Sequence, residues 1–221
     1  ISAKLGLMAI SVALVCGAIE WTRLTLGGLH MHASAQMKKA ALEATRQELD
    51  ALCARGVRME GNAFSPIVLI KGELNEEERA GGALLGGADG TALRASCTAI
   101  GYAPEDFCAL AAVAGKGDDP ALTLGATLPT EVFREALEAL DPEAVLLLDA
   151  TAADLMRETY ADALVAIDDF DTAMLKPGLV AHVLGRRVLA LDGFEAALGD
   201  KREKQRMWAY IKQIGPVGAP Y

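Results

Sequence analysis

Residues Ser65 to Val113 read SPIVLIKGELNEEERAGGALLGGADGTALRASCTAIGYAPEDFCALAAV. Ile67 to Ile70, a short apolar run after Pro66, has the composition of a strand buried on both faces. An acidic stretch, Glu76-Glu77-Glu78, leads into a glycine-rich loop that runs to Gly90. Thr91 to Ile100 reads as a helix stopped by Gly101, and Phe107 to Val113 as a second strand after the turn at Pro104.

Outward from this stretch the alternation continues. Gly115 to Pro129 carries Gly, Asp and Pro without periodicity and is read as a loop. Thr130 is placed at the cap of a helix that ends at Asp141-Pro142. Ala144 to Leu148 reads as a third strand, Thr151 to Tyr160 as a helix and Leu164 to Ile167 as a fourth strand. Val180 to Val183 and Arg187 to Leu191 form a pair of short strands around Leu184-Gly185-Arg186, and Lys201 to Ile214 closes the chain as a helix. Before the first strand, Ala35 to Ala54 has helical spacing and is stopped by Gly56. The expected fold class is α/β, a three-layer α/β/α domain with a mainly parallel central sheet. In such sheets, sites gather where strands end, which points to Lys71 to Gly90, Ala114 to Gly125, Asp149 to Ala152 and Asp192 to Ala197.

With 221 residues the chain has room for one domain, expected over 33–221, behind an apolar N-terminal segment, 1–32. Apolar residues make up 52% of it and aromatics 5%, which suits buried strands alternating with alanine-rich helices. The formal net charge is -9, a sign that opposes a phosphate backbone, so nucleic acid is a disfavoured partner. Lys201, Arg202, Lys204 and Arg206 read as a solvated helix face laced with Glu203. Cys16, Cys53, Cys97 and Cys108 form no CxxC pair and read as buried thiols of a reducing, cytoplasmic protein.

Leu5 to Ile19 is an unbroken apolar run, shorter than the roughly 20 residues of a membrane helix. It reads as a signal-peptide core, a short anchor or a buried helix. A tilted anchor over residues 5–29, Leu5 to Leu29, would tether the protein to a membrane or to a protein partner. His30 and His32 have metal-ligand spacing but lack a third ligand nearby, and are read as linker residues.

The segments KGELNEEER, GALLGGADG, DPEAVLLLDATAADLM and RRVLALDGFEAAL, with the closing helix, resemble in order and spacing the uracil-DNA glycosylase superfamily, family 4 in particular. The likeness spans about Ala35 to Ile214. It implies a glycosylase-like fold and a pocket in which a flipped uracil is stacked, read at its edge and released as an anion. Carried over residue by residue, the first-motif acid falls at Gly72, the stacking phenylalanine at Leu85, the base-reading asparagine at Ala111 and the second-motif histidine at Gly193. None of the four side chains is retained. The implied pocket comprises Gly72, Asn75, Leu85, Ala111, Gly193 and Glu195. Glu73 and Asp192 are the candidate catalytic carboxylates, since two acids at one mouth can activate water. The family's iron-sulfur cluster is not expected: only Cys53 lies near a ligand position and Gly115 stands where another cysteine would be. No other cofactor or metal is expected.

These residues imply a catalytically degenerate domain serving as a binding or scaffold module. The alternative is an active DNA glycosylase or hydrolase with a rearranged carboxylate site. The loop glycines Gly81, Gly82, Gly86, Gly87 and Gly90 match neither GxGxxG nor GxxxxGK[ST], so they read as a structural loop rather than a phosphate cradle. Asp118-Asp119, Asp149 and Asp168-Asp169 are further acids at strand ends, readable either as metal carboxylates or as solvated loop residues.

Overall fold

The computed structural model describes residues 36–218. The apolar segment 1–32, with the candidate anchor, Cys16, His30 and His32, lies outside the described residues. Contacts divide the chain into Ile1–Gln47 and Glu48–Tyr221. Of the first unit, residues 36–47 are described and are helical. The helix, α1, runs over residues 36–55 and stops at Gly56, whose φ of +120° few other residues adopt. Among the described residues no helix is long and apolar enough to cross a membrane.

The second unit is built on a six-stranded sheet of order β1-β3-β2-β4-β6-β5. Its strands are β1 (Met59–Gly61), β2 (Ile67–Lys71), β3 (Cys108–Ala111), β4 (Ala144–Leu147), β5 (Val180–Val183) and β6 (Arg186–Ala190). The inner strands β3, β2, β4 and β6 are parallel, while β1 and β5 pair antiparallel at the two edges. Every residue of β2, β3 and β4 is buried, which is why these strands, Lys71 apart, are continuous apolar runs rather than alternating ones. Side chains on β2 still take opposite sides. Val68 and Ile70 pack with Phe133, Leu137 and Met156, whereas Ile67 and Leu69 pack with Leu93, Phe194 and Met207.

The first of these cores is closed by α1 through Leu49 and Leu52, by α4 (Thr130–Leu140) and by α5 (Ala150–Thr159). The second is closed by α3 (Ala88–Ala99), α8 (Phe194–Ala197) and α9 (Lys201–Ile211). Short helices α2 (Glu76–Arg79), α6 (Ala161–Leu164) and α7 (Phe170–Ala173) lie in the connections. The chain leaves β2 for β3 on one side and later places β4 on the other. The carboxyl ends of β2 and β4 therefore form the switch point at which doubly wound sheets hold their sites.

Several details differ from the sequence reading, among them the start of α3, which is at Ala88 rather than Thr91. Leu164 to Ile167 is not a strand. The amides of Leu164, Val165 and Ile167 donate to the carbonyls of Tyr160, Ala161 and Leu164, so the run closes α6 and a turn and three of its four amides are taken by these local bonds. A four-residue apolar run carries no period that separates strand from buried helix. Thr130 is the first residue of α4 rather than its cap; Pro129 is the cap, and no side chain bonds there. Cys53 is exposed, although Cys97 and Cys108 are buried. The hairpin turn is the two-residue Leu184-Gly185, both at positive φ as the primed turns require, so Arg186 already belongs to β6.

The glycine-rich loop is set by close packing. Leu85 is buried with φ +52°, and the position where a Cβ on Gly90 would stand is 1.7 Å from the Leu85 carbonyl oxygen. The first turn of α3 can therefore sit against the loop only if residue 90 has no side chain. Gly90→Ala is expected to destabilise the protein by roughly 1–3 kcal/mol or more through forced separation of α3 and the loop. The check is a lower urea midpoint at unchanged slope.

Candidate functional site

Lys71 is the last residue of β2, and its ammonium is buried at the switch point. Nζ lies 2.6 Å from Asp89 Oδ2, 2.8 Å from Glu78 Oε2 and 2.8 Å from Glu195 Oε2. An ammonium has three N–H donors, so three carboxylate acceptors satisfy it completely. Burial pulls its pKa down, but the bonds to Asp89, Glu195 and Glu78 outweigh that, and the net displacement is upward from the ordinary 10.5. A lysine held in this state is a structural cation and offers no neutral amine near pH 7.

Each carboxylate arrives from a different element. Glu78 belongs to α2, where it forms a capping box with Asn75: Asn75 Oδ1 accepts from the Glu78 amide at 2.9 Å and Glu78 Oε2 accepts from the Asn75 amide at 2.9 Å. Its other oxygen accepts from the Leu85 amide at 2.8 Å and so fixes the loop. Asp89 comes from the first turn of α3 and also accepts from the Gly90 amide at 2.8 Å. Glu195 lies on α8 with its side chain half exposed, and is the one member of the cluster open to solvent.

A second carboxylate network adjoins the first. Asp149 follows β4 and caps α5, Oδ1 accepting from the Ala152 amide at 2.9 Å. Its Oδ2 accepts from the amides of Gly72 and Glu73 at 2.8 Å and 2.9 Å. Asp149 thereby ties the end of β2 to the start of α5. The space beside Gly72 is filled: a Cβ there would meet Thr151 Cβ at 2.5 Å and Asp149 Oδ1 at 3.1 Å.

The cavity at this point measures about 60 Å³ and is lined by Lys71, Glu73, Asp89, Asp149, Gly193 and Glu195, with Leu148, Phe194 and Ala196 as its apolar part. Of the residues singled out from sequence, Glu73, Gly193 and Glu195 line it, and Gly72 borders it through Asp149. Asn75 is engaged in capping α2, while Leu85 and Ala111 are buried in the core beside Ile67 and Leu69. Asp192 is exposed, lies 3.6 Å from Arg206 Nη2 and is outside the lining. Gly193 has φ +65° and open space where a side chain would stand.

Lys71, Glu78, Asp89 and Asp149 fall within the strand-end stretches Lys71 to Gly90 and Asp149 to Ala152 that the sequence points to, but sequence reasoning does not single them out as the residues that build the site. The available signals were the charge that ends the apolar strand IVLIK and the N-x-x-E spacing of Asn75 and Glu78. From sequence alone Asp149 is one of several acids at strand ends.

Four of the loop amides are already used. Those of Gly81, Gly82 and Gly86 donate to the carbonyls of Glu78, Glu77 and Ala83, and that of Leu85 to Glu78, which leaves no phosphate cradle formed by these groups. Arg58 braces the loop from outside, donating to the carbonyls of Glu78 and Gly82 at 2.7 Å each. Of the other acids at strand ends, Asp119 pairs with Arg55 at 3.3 Å and Asp169 caps α7. Among the described residues no group of three His, Cys, Asp or Glu is placed to hold a metal ion. Burial pushes the Cys97 and Cys108 thiols up to about 11 and about 12, so neither is a thiolate near pH 7. Gly115 faces Arg58, whose Cγ would lie 2.5 Å from an added Cβ, so a cysteine there would collide.

The arrangement sets one cation against five carboxylates around a small cavity. It can hold strands and loop in register and present an acidic rim. No protein-family model matches the chain, and no curated protein is detectably similar to it.

Lys71→Met would leave Glu78 and Asp89 buried without a counter-charge, and a loss of about 3–5 kcal/mol at pH 7 is expected. In the unsubstituted protein the raised Lys71 value sets the pH window of the cluster. Its contribution is intact below the ordinary lysine value of 10.5 and is lost only as pH rises through the higher folded one. Urea titrations of both proteins across this range measure each effect.

Proposed function

We propose that this chain is a catalytically degenerate, uracil-DNA glycosylase-like α/β/α domain that serves as a binding or scaffold module. What supports the likeness is convergence. The segments that carry it, KGELNEEER, GALLGGADG, the start of DATAADLM and the DGFEAAL stretch, contribute Lys71, Glu73, Asp89, Asp149 and Gly193 to one cavity at the switch point.

The observation that carries the loss of base excision is the content of that cavity. Its volume of about 60 Å³ is well below the roughly 300–1,000 Å³ of small-molecule pockets. It is bounded by carboxylates, which disfavour both a DNA backbone and a developing uracil anion. A general acid or oxyanion donor has to be replaced before uracil can leave. Lys71, the nearest cation, has all three N–H groups bonded within the protein. At residue 72 a side chain competes with Thr151, and at residue 193 there is room but no imidazole. The rearranged-carboxylate alternative draws less support, because Glu73 lines the cavity while Asp192 pairs with Arg206 outside it.

Purified full-length protein incubated at low salt with labelled single-stranded DNA carrying uracil or a normal base is expected to release no base. Uracil release that disappears in Glu73→Gln would overturn the reading and establish a rebuilt active site.

A further inference from the structure

The connection from α5 to β5 carries a surface that the switch-point site does not explain. Between α6, α7 and the turn joining them lies a groove of about 340 Å³ floored by Leu164, Val165, Ile167, Phe170, Ala173 and Met174. Val165 is 83% exposed, Phe170 71% and Met174 41%, although each is apolar and they share one groove. Apolar side chains gathered on one concave surface, unlike singly scattered ones, mark a contact surface.

The surroundings of the groove define what fits it. On the other side of Ala161, which borders both, a second groove of about 770 Å³ runs along α4 and the end of α5. Its lining includes Glu131, Glu138, Glu158 and Asp162. The basic residues nearby are already engaged: Arg134 donates to the Thr159 carbonyl, pairs with Asp162 at 3.4 Å and lies over the Tyr160 ring, Arg55 is paired with Glu135, Arg157 with Asp154, and Lys176 with Asp171. An apolar trough thus shares a border with a carboxylate-lined one in which, among the described residues, Glu131, Glu138 and Glu158 form no salt bridge.

The occupant must also satisfy its own backbone. The Val165 and Met174 amides donate to Ala161 and Phe170, and the Met174 carbonyl accepts from Arg157, so these walls are committed to helical turns and to Arg157. An extended segment laid in the groove would leave its amides unpaired, whereas a helix brings its hydrogen bonds with it. We propose that this surface docks a basic amphipathic helix of a protein partner. Its apolar face sits on Val165, Phe170 and Met174, and its lysines or arginines face Glu131, Glu138 and Glu158. The inference stands independently of the proposed loss of base excision, since it uses other residues on another part of the fold.

The test is fluorescence anisotropy of the full chain with a synthetic peptide of about 15 residues, leucines at i, i+3, i+4 and i+7 and lysines between them. One control has glutamate in place of lysine, and another has the same composition scrambled so that no apolar face forms. The amphipathic basic peptide is expected to bind about tenfold or more tighter than either control, and more weakly as salt is raised. Val165→Ser with Phe170→Ser should remove about tenfold in affinity, and Glu131→Gln with Glu138→Gln and Glu158→Gln should flatten the salt dependence. All five side chains are outside the core, and unchanged circular dichroism and melting would show that the fold is intact. Equal binding of the scrambled peptide, or indifference to the serine variant, would overturn the proposal. So would a dimer in sedimentation that Phe170→Ser dissociates, which would make the occupant a second copy. Absence of peptide binding to the full chain would also overturn it.

Discussion

One buried ammonium organises the carboxyl end of the sheet. Lys71 ends the central strand β2, and taking its charge out of water is costly unless every donor meets an acceptor. The three acceptors that meet this demand come from α2, α3 and α8, so the condition that stabilises the lysine also fixes the position of three helices. Glu78 extends the effect through its second oxygen to Leu85, and the loop carrying Leu85 sets how closely α3 approaches. Apolar packing supplies most of the favourable free energy of such a domain. The ion cluster selects which arrangement of loops that packing must accept.

The same cluster determines the character of the mouth. A doubly wound sheet presents its switch point as a ready crevice, and here the crevice is occupied by the protein's own groups. Asp149 takes the first amides beyond β2, Thr151 fills the space next to Gly72, and Glu195 closes over Lys71. Polar groups that elsewhere would face a ligand are directed at one another. The exposed, uncommitted chemistry lies instead along α4 to α7, where apolar and acidic surfaces run side by side.

What the sequence conveyed depended on how local each cause was. The runs Ile67 to Ile70 and Ala144 to Leu148 are legible because parallel strands covered on both faces have to be apolar throughout. The hairpin was legible from Leu184-Gly185, although its boundary shifted by one residue. β1 was not: Met59–Gly61 is an edge strand of three residues defined by pairing to Cys108–Leu110, and nothing within MEG announces it. Leu164 to Ile167 misled because its apolar residues are placed by helix α6 and a turn, Leu164 and Ile167 against the core and Val165 towards solvent, and none enters the sheet. At the site, the rule that strand ends gather function led to Glu73, Gly193 and Glu195. The pairing of Asp89 and Glu195 with Lys71 was not legible, because these partners lie far along the chain, Asp89 18 residues away and Glu195 124.

The double acceptance by Glu78 has a consequence for motion. The amides of Asn75 and Leu85 are ten positions apart in a segment rich in glycine and charge, where fast and independent solvent exchange is the ordinary behaviour. Both are held by one buried carboxylate that is also held by Lys71. Neither can open for long without disturbing the ion cluster, so the acidic turn, the loop and the end of β2 form one cooperative unit. A segment with the composition of a flexible connector thus shares the protection of the central strand.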